Sequence, residues 1–235
     1  MNEVVKKPVS GSAINAQSAD NPFTQYGRSA AGRSFVGDLL LFDKYGEYHA
    51  GQEKIEVPLG TKLHAYMDSF SVGWQRWEDS VPVELIMGPV ARGYIPPKRD
   101  TLGHLDKTQW EQFPDGREKD PWVFTNTLVL VDLAESEPRF YTFSTSSKGG
   151  INALGALALR YGEHLRLKPD ESPIIDLGRD SYQHSNKSYG EIRVPVLKIV
   201  GYVPTKNLPA IEGIDTDVPP QLPSGGGGAA ATPLN

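Results

Sequence analysis

WVFTNTLVLVD (Trp122–Asp132), LAESEP (133–138), RFYTFST (Arg139–Thr145), SSKGG (146–150) and INALGALALRYGEHL (151–165) follow one another, and the fold turns on how they are read. The first and third pieces are short, apolar and rich in β-branched and aromatic residues, which predicts two strands joined by a charged loop. In the last piece Ile151, Leu154, Leu157 with Ala158, and Tyr161 recur at helical spacing. Ser146 and Ser147 stand where a helix N-cap is needed. Two strands therefore lead into one helix.

Working outward, strand signals dominate on both sides. FVGDLLLF (35–42) is a short apolar run bounded by turn residues, while TKLHAYM (61–67) and SVGWQRW (71–77) alternate. VPVELIM (81–87) is placed to pair back on the latter as a hairpin through Glu78, Asp79 and Ser80. Residues 88–121 are dense in charge, glycine and proline and carry no clear period. A last strand pair is expected at 174–177 and 190–203 (GEIRVPVLKIVGYV). Many strands around one helix predict a mostly β domain, an OB-like antiparallel barrel with one helix, with a β-sandwich as the alternative. Residues 1–33, rich in Ser, Ala, Asn, Gln and Gly, are expected to be a disordered arm. Residues 204–235, rich in Pro and Gly, are expected to be a disordered tail, which leaves a globular domain at 34–203.

Composition narrows the chemistry. The chain has 235 residues, 38% of them hydrophobic, so it can bury a substantial core. It has no cysteine, which removes disulfides, thiol catalysis and cysteine-ligated zinc. No apolar run is long enough to span a bilayer, and the first residues lack a secretory h-region, so a cytoplasmic protein is expected. The net charge of −5 is uneven. Residues 35–138 hold ten basic against eighteen acidic residues, and 139–203 hold nine against six. A local basic face, rather than the total, is what a phosphate backbone senses.

Catalytic and metal motifs are weak. The histidines (His49, His64, His104, His164, His184) form no HExxH or HxH pattern, and His104 with Asp106 is the nearest approach to a ligand pair. Asp100, Asp106, Asp115 and Asp120 are plentiful acids whose spacing does not converge them. GxSxG and GxxxxGK[ST] are both missing. No enzyme activity, metal or cofactor is expected, and a metal-dependent nuclease built on those acids is the weaker alternative.

Three features point instead to nucleic acid. SSKGG lies between a strand and a helix, where unsatisfied backbone N–H groups attract anions and Lys148 would add a charge. GWQRW (73–77) places Trp74 and Arg76 on one strand face and Trp77 on the other, a pattern suited to stacking bases beside a cation. RDSYQHSNKSY (179–189) interleaves Arg179, Tyr182, His184 and Lys187 with small hydrogen-bonding residues, and Arg193 follows. Trp122, ahead of an apolar strand, reads as core.

The strings GDLLLF, AGQEKIEVPLGT, GWQRWEDSVPVE, RDTLGHLDKTQWE, DPWVFTNTLVLVD, YTFSTSSKGG and SYQHSNKSYG together resemble a family of phage and prophage proteins of bacteria. That resemblance implies a phage setting and brings no set of catalytic residues. The layout also has a loose likeness to bacterial single-stranded DNA-binding proteins, in which a Gly/Pro-rich linker and acidic tip follow the barrel. Here the acids of IDTDV (214–218) precede the glycines.

The resulting expectation is a non-enzymatic single-stranded DNA-binding protein of phage replication or recombination, acting in the host cytoplasm. Trp74, Arg76, Trp77 and Tyr182 would stack or flank bases, while Lys148, Arg179, Lys187 and Arg193 would hold phosphates. Replication or recombination proteins are expected partners through the tail, self-association is open, and no membrane is involved. The main rival is a phage structural or interaction protein, either a virion component or a host-defence inhibitor.

Overall fold

The computed structural model describes residues 35–134 and 136–211, the side chain of Tyr189 excepted. Residues 1–33, and the tail beyond 211, expected to be disordered, lie outside the described residues. The chain is mostly β. In order it forms β1 (Asp38–Phe42), β2 (Tyr48–Ala50), β3 (Ile55–Val57), β4 (Lys62–Glu78) and β5 (Val81–Pro89). Then come β6 (Glu111–Gln112), β7 (Glu118–Lys119), β8 (Trp122–Asp132), β9 (Arg139–Thr145), helix α1 (Lys148–Leu165), β10 (Glu171–Gln183) and β11 (Glu191–Pro204). Eight strands follow one curled path, β11-β10-β4-β8-β9-β1-β2-β3, and β5 pairs with β4 beside it; β6 and β7 form a separate ribbon.

The sheet is a half-barrel rather than the expected antiparallel barrel, for two reasons. β1 lies parallel to β9, so the sheet is mixed. β2 and β3 are only three residues each and cannot carry a ladder round to the far strands. A side-chain contact reaches across instead: the Tyr48 hydroxyl of β2 donates to the Gly178 carbonyl of β10 at 2.9 Å, while Leu177 extends the β4–β10 pairing by accepting from the Gly60 N–H and donating to the Thr61 carbonyl. A sandwich would need a second large sheet facing the first, and apart from the β6–β7 ribbon the described strands make one sheet.

Strand alternation divides the apolar residues between two faces. Leu128 and Leu130 point into the curl with Leu40, Tyr48, Leu63, Phe143, Ile175 and Leu177, and α1 fills it with Leu154, Leu157, Tyr161 and Leu165. Val129 and Val131 point outward and meet Tyr66, Leu208 and Ile211. The body thus extends past the expected boundary at 203. The Tyr66 hydroxyl donates to the Pro209 carbonyl, and burying Leu208 and Ile211 stabilises that closing segment by roughly 1.5–3 kcal/mol each.

The alternating runs at 61–67 and 71–77 prove to be one strand, β4, interrupted by an irregularity in register between Tyr66 and Ser71. Ser69 patches the gap, its hydroxyl accepting from the Val129 N–H and donating to the Tyr66 carbonyl. The β4–β5 hairpin turns through Asp79 and Ser80, both at positive φ, the handedness that two-residue hairpin loops require. Residues 88–121 form three short 3-10 turns and the β6–β7 ribbon. Among the described residues no helix is long and apolar enough to cross a membrane.

Candidate nucleic-acid interface

β4 decides where the expected site residues go. One of its edges is shared: β10 pairs with its first residues, Lys62 to His64, and β5 with its last, Ser71 to Glu78. Because β10 runs antiparallel, it leaves β4 beyond Lys62 and carries Arg179, Tyr182 and the β10–β11 loop away from the β4–β5 hairpin. At about 3.3 Å per residue, roughly 50 Å of strand contour separates Arg76 from Arg179. Along this edge the eight expected residues do not make one groove: three lie on the β4–β5 hairpin, and five lie around the β10–β11 ribbon and the start of α1, where Gly149 meets Val194.

At the β10–β11 ribbon, three chain segments meet. The β1–β2 turn is closed by Asp43, whose Oδ1 accepts from the Tyr45 and Glu47 N–H groups at 2.8 and 3.0 Å. Those bonds and one to His49 hold the carboxyl below its ordinary pKa, although burial acts the other way. The turn passes through Gly46 at positive φ, and a β-carbon there would press on the stems of Arg193 and Arg179. The Arg193 guanidinium donates to the Tyr45 carbonyl at 3.0 Å, which docks the turn on β11. In register, Arg193 faces Ser181 and Arg179 faces Pro195, so both arginines share a face with the turn. Tyr182, opposite Ile192, belongs to the other face, where Val194 lies against Gly149 at the start of α1.

SSKGG is a helix start built for close packing. Ser147 is the N-cap, accepting from the Gly150 N–H at 3.0 Å, as its position in the sequence suggested. Any β-carbon on Gly150 would collide with Thr145, and one on Gly149 with Val194. The two glycines are thus explained by packing, and Lys148 projects from this start into solvent. Lys187 sits on the 3-10 turn of the β10–β11 loop, which Asn186 fixes by accepting from the Ser188 N–H and hydroxyl. Lys148, Arg179 and Lys187 have no ion pair among the described residues, while Arg193 is 3.6 Å from Glu191. Lys44 and Tyr45, which the sequence reading passed over, complete this region. Tyr45 is 57% exposed with the Lys44 ammonium 5.0 Å from its ring centre, and Tyr182 is comparably open at 51%. A Lys-aromatic-Gly turn was the signal available for the first pair.

The β4–β5 hairpin uses similar residues differently. Trp74 is half-buried, its indole N–H donating to the Pro97 carbonyl at 2.9 Å and its ring edge-on to Phe124. Arg76 is clamped between Glu84, at 3.0 Å, and Glu78. Burial would lower its pKa, but the two carboxylates hold it above the ordinary arginine value. Trp77 lines a cleft of about 300 Å³ with Trp110, and Glu78, Asp79, Asp106, Glu111 and Asp120 around it outnumber Arg76 and Lys119. A phosphate chain would meet net negative charge there. Trp122 is core, as expected, at 3% exposed.

The acids weighed for a nuclease are dispersed. Asp120 pairs with Arg99, Asp115 with Arg117, and Asp106 caps a 3-10 turn by accepting from Thr108. His104 and Asp106 gather no third donor among the described residues. The one group of three potential ligands there is Asp43, Glu47 and His49, in the β1–β2 turn. No family model, curated protein or solved structure matches the chain.

Proposed function

We propose that the chain is a non-enzymatic single-stranded DNA-binding protein that holds the strand at the β10–β11 ribbon of the half-barrel. The observation that carries this reading is the meeting of Lys148, Arg179, Lys187 and Arg193 with the open rings of Tyr45 and Tyr182 around one protruding ribbon. Lys148, Arg179 and Lys187, without carboxylate partners among the described residues, keep their full attraction for phosphates, and exposed tyrosines offer stacking faces that accept any base. The curled sheet would serve as an OB-like platform, with the ribbon in place of the usual groove. Trp74, Arg76 and Trp77 have no part in this version of the site. A place in phage replication or recombination, in the host cytoplasm, rests on the sequence resemblance alone.

Fluorescence anisotropy of labelled oligo-dT at low and moderate salt tests the proposal. Micromolar binding that weakens steeply with salt is expected, and no binding, or binding indifferent to salt, overturns it. The acid-lined cleft with Trp77 and Trp110 favours a second reading, an interaction protein that captures a basic partner. It predicts no oligonucleotide affinity together with salt-sensitive binding of a Lys/Arg-rich peptide.

A further inference from the structure

The β1–β2 turn brings together two carboxylates and an imidazole whose spacing is long for hydrogen bonding. Tyr48 and Ala50 of β2 point into the core, so His49 between them points out, on the same face as Glu47. Its Nε2 lies 3.3 Å from Asp43 Oδ2 and 3.6 Å from Glu47 Oε2. Charge-assisted N–H···O bonds are normally about 2.7–2.9 Å, so the Asp43 bond is a long one and the Glu47 contact is longer still. Four-coordinate zinc, with ligands at about 2.0–2.1 Å, sets its donor atoms roughly 3.4 Å apart, close to the two distances from His49 Nε2.

The surroundings orient each donor. His49 Nδ1 lies 3.3 Å from the Lys54 carbonyl, an atom that can only accept. With the proton on Nδ1, the neutral ring turns its Nε2 lone pair toward both carboxylate oxygens; with the proton on Nε2, the ring donates to Asp43 instead. The first of these arrangements is the one that a cation stabilises. Asp43 Oδ1 is held by two backbone N–H groups, which leaves Oδ2 to face the same point. An imidazole anchored through its second nitrogen and a carboxylate anchored through its second oxygen are the outer-shell supports that metal ligands have.

We propose that Asp43 Oδ2, Glu47 Oε2 and His49 Nε2 bind one divalent first-row cation of the zinc type, with solvent completing its coordination. One nitrogen and two oxygen donors suit zinc better than magnesium, which prefers oxygen donors in an octahedron. The ion would lock the turn that docks on Arg193. The assignment is independent of the nucleic-acid reading, since its test contains no oligonucleotide.

The test is calorimetric titration of ZnCl2 into the chelator-stripped full-length chain at neutral pH. One equivalent of zinc is expected to bind, undisplaced by excess Mg²⁺. His49→Gln and Asp43→Asn should each weaken it at least tenfold, while His184→Gln leaves it unchanged. Glu47→Gln, at the exposed side of the cluster, provides a third variant, and thermal melts of the metal-free proteins verify that each is folded. Absence of a one-equivalent isotherm, or zinc binding that survives both His49→Gln and Asp43→Asn in folded protein, overturns the proposal.

Discussion

The β4–β5 hairpin and the β10–β11 ribbon carry similar side chains with opposite availability. On the hairpin, Arg76 lies between two glutamates and the Trp74 indole is occupied by a backbone carbonyl. Around the ribbon, Arg179, Lys148 and Lys187 lack ion pairs among the described residues, and Tyr45 and Tyr182 stand half or more open. An arginine beside an aromatic residue is thus no guide to a binding surface until its carboxylate neighbours are known. One of those neighbours comes from across the hairpin, where Glu84 faces Arg76 in register; the other, Glu78, lies two residues further along the same strand.

Charge reversal should separate the two most sharply. Replacing Arg179 and Arg193 together by Glu is expected to reduce oligo-dT affinity by roughly a hundredfold at low salt and to flatten its salt dependence. Anisotropy titrations at several salt concentrations measure both effects. Next in size is Gly150→Ala, which forces a methyl group into Thr145. It should cost about 1–3 kcal/mol in urea unfolding and displace Lys148 as well. Truncating Tyr45 or Tyr182 to Ala should weaken binding by about 1 kcal/mol, the lower range for one stacked base, and should leave the urea midpoint nearly unchanged.

The hairpin provides the contrast. Arg76→Ala is expected to leave oligonucleotide affinity within twofold and to cost at most about 1 kcal/mol of stability, because its glutamate partners are half exposed. Loss of binding in that variant, if it stays folded, would erase the distinction between hairpin and ribbon. The smallest effect concerns His64, at the junction where β8 and β10 flank β4. Burial pushes its pKa down, and the nearby Asp132 only partly offsets this. The folded protein then takes up a proton less readily than the unfolded chain, so this contribution to stability is lost as pH falls below about 6.5. Thermal melts at pH 7.5 and 5.5 should show a drop that is smaller in His64→Gln.

Strong local patterns were legible. β8, β9 and α1 lie where apolar period and capping place them, and Ser147 is the N-cap. The β4–β5 hairpin was legible too, since both strands alternate about a short polar turn. β2 and β3 escaped notice because three residues are too few to show a period. The break in β4 read as two strands because the sequence does not reveal that the Ser69 hydroxyl takes the place of ladder bonds. Of the site, Lys148, Arg179, Tyr182, Lys187 and Arg193 were chosen for residue type; Arg179 and Arg193 share a face of the β10–β11 ribbon, and Tyr182 lies on the other. Tyr45 was missed because its place comes from a turn docked on a strand more than a hundred residues away, and the Asp43–Glu47–His49 group because its spacing matches none of the ligand motifs sought.

By itself the sequence determined that the chain is mostly β with one amphipathic helix, without thiols, and with its basic excess in the later part of the body. Those properties follow from periodicity and composition, which act over a few neighbouring residues. Tertiary structure alone decided that the sheet stays a half-barrel and that β10 and β5 share one edge of β4, one at each end of it. It also decided which cations are neutralised, because an ion pair depends on side-chain distances of a few ångströms that strand face and register set, as for Arg76 with Glu78 and Glu84.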